Sequence, residues 1–95
     1  MRKENTKLEV FTFGDKPGDK FYCLIDSKIS PDGLDINKMK MTDPRNFDVI
    51  LREMGCLAML TELEVQELVK RGELEMEDLH TELFELCKRK GIIES

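Results

Sequence analysis

The chain has 95 residues, 40% of them apolar and 37% charged, with a formal net charge of −5. That describes one domain, too short for two independent cores and too regularly apolar to be disordered. No apolar run reaches the roughly 20 residues of a membrane span, and the basic opening MRKENTK lacks the apolar stretch of a secretory signal, so the expected compartment is the cytoplasm.

The first six residues read as a flexible N-terminus. KLEVFTF (7–13) and KFYCLID (20–26) are rich in Val, Phe, Tyr and Ile, as strands are. GDKPGD between them suits a type II turn, with Pro17 at its second position and Gly18 at its third. Leu8 and Val10 share one face of the first strand and Phe11 and Phe13 the other, which predicts a sheet covered on one side and at least partly covered on the other. SKISPDG is a turn, and LDINKMKM (34–41) is expected to be a short third strand.

The apolar period then becomes helical. Asp43 can cap a helix over about 44–59, with Pro44 at its first position and a stripe from Phe47 to Ala58 that Gly55 weakens. Thr61 and Glu64 form a capping box for a second helix, 62–71, closed by Gly72, with Leu63, Leu68 and Val69 on its apolar side. A third helix, about 75–90, carries Met76, Leu79, Leu83, Leu86 and Cys87 on one stripe, and Ile92 and Ile93 fold back beyond Gly91. The echo of ELVKRG in ELCKRKG is the same helix-ending chemistry used twice. The expected class is therefore α+β in one domain, 1–95. An N-terminal hairpin or short three-stranded antiparallel sheet (7–41) packs on a helical part (43–93) with three helices.

The cysteines, Cys23, Cys56 and Cys87, are odd in number and set among apolar neighbours, which fits reduced core thiols. There is no CxxC pair. His80 and Cys87 on one helix would stand about 10 Å apart, too far for two short side chains to share a zinc ion. No metal or other cofactor is expected. His80 is the sole histidine and lies among acids, as a helix-surface residue. GDKPGDK lacks the spacing and the Lys-Ser/Thr of a phosphate loop, and in SPDGLDIN a lysine would stand where a calcium loop needs its first aspartate. No catalytic residue emerges, and the chain is expected not to be an enzyme.

From Leu60 to Leu86 nine acids face only Lys70 and Arg71, a net of −7. A helix-turn-helix would push that face onto DNA, which carries about one negative charge per 1.7 Å. The expected partner is instead another protein with a basic surface, with no membrane and, as weaker alternatives, a nucleic acid or a second copy of the chain. Glu75, Glu82 and Glu85 would form the acidic rim and Phe84, if exposed among them, the anchor. The expected function is a small regulator, inhibitor or adaptor. The single alanine, Ala58, and single glutamine, Gln66, fit the AT-rich coding of phages and mobile elements. The competing expectation is a helix-turn-helix-like transcriptional regulator using the basic ends Arg2, Lys3, Lys88, Arg89 and Lys90.

Overall fold

The computed structural model describes residues 2–93. Its order of regular elements is β1 (Thr6–Thr12), β2 (Lys20–Asp26), α1 (Ile36–Met41), α2 (Phe47–Glu53), β3 (Cys56–Thr61), α3 (Glu62–Lys70) and α4 (Leu79–Arg89). The three strands form one antiparallel sheet in the order β1-β2-β3. The α+β class stands, with α1 added to the three expected helices and the sheet between two helical layers.

The hairpin follows the sequence. Thr6 pairs with Asp26 and Thr12 with Lys20, so Leu8 and Tyr22 fall on one face and Phe11 and Phe21 on the other. Its connection is a 3-10 turn over Pro17–Asp19: Pro17 and Gly18 take the second and third positions as expected, but the turn is not type II, because Gly18 is absent from the glycines with positive φ. The Asp19 amide donates to the Lys16 carbonyl at 2.9 Å, which closes the turn without left-handed backbone.

The third strand comes from a different segment than expected. LDINKMKM is a helix because the Asp35 side chain accepts from the Lys38 amide and so caps it. Its one buried residue is Met39. The stretch read as a single helix, 44–59, breaks at Gly55. Asp43 does cap a 3-10 turn over Pro44–Asn46 that leads into α2. Gly55 then takes a φ of +85°, and a Cβ there would lie 2.8 Å from Ile29 Cβ. Only glycine accepts both demands. The chain reverses and CLAMLT pairs with β2, Cys56 opposite Ile25 and Leu60 opposite Tyr22, with an irregularity opposite Leu24–Ile25.

β2 is the central strand, and Phe21 through Ile25 are all buried, as a strand covered on both faces must be. On one face Phe11, Phe21, Cys23 and Ile25 pack against Leu34, Met39, Phe47 and Leu51 from α1, α2 and the segment before them. On the other, Tyr22 and Leu24 pack against Val65 of α3 and against Leu83, Phe84 and Cys87 of α4. The Thr61–Glu64 capping box forms as expected. Helices α3 and α4 end alike: the Glu73 amide returns to the Leu68 carbonyl at 2.8 Å and the Ile92 amide to the Cys87 carbonyl at 2.9 Å. Ile93 is buried beside Phe84 and Cys87, whereas Ile92 stays exposed.

Candidate functional site

The acidic residues lie where helix geometry puts them, on the side away from the sheet. Glu75 and Glu85 are exposed and Glu82 is half-buried. Glu82 Oε1 accepts from the Glu75 amide at 3.0 Å, which ties the α3–α4 connection to the first turn of α4. Asp78 caps α4 by accepting from the Thr81 amide, and these hydrogen bonds hold its carboxyl below the usual aspartate range. Between residues 60 and 86 the one ion pair among the described residues is Arg71–Glu73, at 3.0 Å. Among the described residues the other acids in that stretch make no ion pair, although Glu62 lies near enough to Lys20 to favour its charged form.

Phe84 does not join them. It is 5% exposed and packs against Leu24, Cys87 and Ile93, with the Lys88 ammonium 5.7 Å from its ring centre. Val65, outside the apolar side expected for α3, is 1% exposed. Both are buried because the sheet offers a broad apolar face and each helix turns a wide arc toward it. Leu63, expected on the inward side of α3, is 55% exposed instead. The anchor expected at Phe84 is thus a core residue, and the acidic rim stands without it.

His80 has a role that its sequence neighbours did not reveal. The Thr6 hydroxyl donates to the Lys3 carbonyl at 2.6 Å and lies 2.7 Å from His80 Nε2. A hydroxyl that has donated its proton must accept from the imidazole, so Nε2 carries the hydrogen. Thr6, assigned by sequence to a flexible tail, is buried and bridges the start of β1 to α4. Burial first, and then the charge of Lys3, hold His80 below the usual histidine range, with Asp78 opposing. This arrangement also separates the basic residues. Lys3 sits by the first turn of α4, while Lys88, Arg89 and Lys90 lie at its far end, roughly 15 Å along the axis.

No family model, no curated protein and no solved structure matches this chain. Its chemistry must therefore be argued from its own side chains.

The thiols fall on both sides of the sheet. Cys23 and Cys56 are in the cluster under α2, and Cys87 is in the one under α4. The neighbouring Cys56 thiol, together with burial, pushes the Cys23 thiol well up, and burial pushes Cys87 up. Both stay protonated and poorly nucleophilic. Cys56 donates to the Ala58 carbonyl at 3.1 Å. Among the described residues, no three His, Cys, Asp or Glu side chains gather as metal ligands would. Phe13 is the exposed member of an aromatic group with Phe11, Phe21 and Phe47, its ring 5.5 Å from Phe21 and 5.2 Å from Phe47.

Shallow clefts follow β3 on both faces of the sheet. One is lined by Asp48, Leu51 and Arg52 with Cys56–Met59. The other is lined by Ala58–Leu60 with Leu83, Leu86 and Ile92. No helix of the described residues is long and apolar enough to cross a membrane.

Proposed function

We propose that this chain is a small non-enzymatic regulatory protein, an inhibitor or adaptor, that acts by docking its acidic surface on a basic surface of another protein. One observation carries the reading. Helices α3 and α4 spend most of their apolar residues on the sheet and turn outward a carboxylate surface whose one ion pair among the described residues is Arg71–Glu73. Uncompensated like charge raises the chain's own energy through self-repulsion, and a basic partner relieves it while speeding encounter.

Glu75 and Glu85 are the rim residues whose reversal tests the proposal most cleanly, because Glu82 also holds the Glu75 amide. The experiment captures partners from the source cell on immobilised chain at low salt, identifies them, and measures association and dissociation rates. Glu75→Lys with Glu85→Lys should lower the association rate at least several-fold while the circular dichroism spectrum is unchanged. Rates indifferent to both substitutions and to salt would sink the proposal. Submicromolar binding to random duplex DNA with a steep salt dependence would favour a nucleic-acid role instead.

A further inference from the structure

We infer that the outer edge of β3 is a self-association surface, where a second copy of this chain adds its own β3 antiparallel across a two-fold axis to form a six-stranded sheet. The inference is independent of the acidic face and rests on three observations.

The first is the open backbone. β3 has one neighbour, β2, and among the described residues its backbone makes no hydrogen bond to the backbone of any segment outside the sheet. The Thr61 amide is taken by Glu64. The Asp26 amide bonds the Gly55 carbonyl, so Tyr22 and Leu24 turn their backbone groups toward Leu60 and Ala58, and it is Cys56 and Met59 whose backbone groups face outward. Such a row of unpaired groups is a template for another strand.

The second is chemistry that invites pairing. CLAMLT contains no charge and no proline, two of the means by which an edge is blunted; a third, a bulge, is present at the irregularity near Leu57. Every residue in it is half-buried, so each keeps apolar surface to bury on association. The irregularity opposite Leu24–Ile25 adds local twist but puts no charge on the strand.

The third decides the occupant. The chain as a whole carries −5 and repels itself. Along the β3 clefts, however, exposed Asp48 is accompanied by exposed Arg52, and exposed Glu64 and Glu67 by exposed Lys90. A two-fold interface needs this kind of self-complementary patch, because residue i meets j and j meets i. Asp48 and Arg52 lie one turn apart on α2 beside Cys56–Met59. An axis between Leu57 and Ala58 sets Cys56 of each copy opposite Met59 of the other and puts the two α2 helices on the same face of the joined sheet, where the inferred pairing is Arg52 of one copy with Asp48 of the other. Pairing through β3 alone also closes after two chains, since each has one such edge.

The test is sedimentation equilibrium and light scattering over micromolar concentrations, with Arg52→Asp and Asp48→Arg made separately. The wild-type chain should dimerise, and each variant alone should raise the dimer dissociation constant about tenfold or more, which corresponds to about 1.4 kcal/mol. Mixing the two variants should restore association as a heterodimer, a rescue that general destabilisation cannot produce. Hydrogen exchange should slow at the outward-facing amides of Cys56 and Met59 as concentration rises. A wild-type monomer throughout, with rapid exchange at those amides, overturns the inference. So does wild-type-like dimerisation by both variants, which would place the contact elsewhere, or slow exchange that requires a different protein.

Discussion

β1 and β3 are both edge strands of one three-stranded sheet, yet they present different chemistry to their surroundings. β1 carries Lys7 and Glu9 near its middle, and the loop after β2 reaches over to it: Lys7 Nζ donates to the Pro31 carbonyl, and the Glu9 carboxylate crowds Gly33. β3 has no charge, and among the described residues no segment outside the sheet bonds its backbone. Charges near the middle of a strand make a second strand hard to add, because pairing would desolvate them. One edge is therefore guarded and the other is left available. The lesson is that an edge is made safe by its side chains and neighbours, and that an unguarded edge in a natural domain is where association should be sought.

The largest expected effect comes from the floor beneath β3. Phe84→Ala removes a buried aromatic under Leu24, Leu57 and Ala58, and should cost about 3–5 kcal/mol in urea denaturation. If Phe84 instead served as an exposed anchor, its removal would leave the unfolding midpoint unchanged. Next comes the joint that launches β3. Gly55→Ala forces a side chain into left-handed backbone and against Ile29, at about 1–3 kcal/mol. Exchange should accelerate in β3 before it does in β1, and equal acceleration in both would show that the joint does not govern the open edge.

These two positions also show what the sequence made legible. Thr61 with Glu64, and Gly72 and Gly91 after basic residues, were readable because capping is settled within a few residues. The hairpin was readable because TKLEVFT and KFYCLID carry aromatic and β-branched residues in both strands. CLAMLT was not, because Leu, Met and Ala are ordinary helix formers and Thr61 is its one β-branched residue. Only the open side of β2 and the stop at Gly55 make it a strand. The carboxylates were found by counting. The burial of Phe84 was not, because how wide an arc a helix buries depends on the surface opposite it. Nor was the Thr6–His80 bond, which joins residues 74 apart.

Guarding can be removed from β1 as a converse test. Replacing Lys7 and Glu9 with threonine should leave stability within about 0.5 kcal/mol but give the chain two associating edges. Dimers should then grow into larger species in light scattering, and unchanged mass would show that the covering loop guards β1 without help from these charges. At the start of the same strand, Thr6→Val loses the acceptor for His80 and should cost about 1 kcal/mol.

The smallest effect is the pH dependence of that contact. His80 is held below its usual range when folded, so just beneath the ordinary histidine value of about 6.5 the unfolded chain binds a proton that the folded chain does not. Stability should fall as the pH drops through that window and level off below the folded value. Comparing unfolding midpoints of wild type and His80→Asn isolates this part from the carboxylates, and identical slopes would remove His80 as the cause.

The placement of α4 has a consequence for how the protein is made. Phe84 and Leu83, which cover Tyr22 and Leu24, lie some sixty residues after the strand they shield. A ribosome adds about 5–20 residues per second, so the hairpin can form while one of its faces waits on the order of seconds for a lid. During that interval the nascent chain presents bare Tyr22 and Leu24 on one side, and it offers β2 without its third strand. The N-terminal strand is clasped only when His80 arrives to meet Thr6. Synthesis therefore runs against the order in which the sheet becomes safe, and fast elongation or a holding chaperone should raise the yield of native protein more than any single surface substitution.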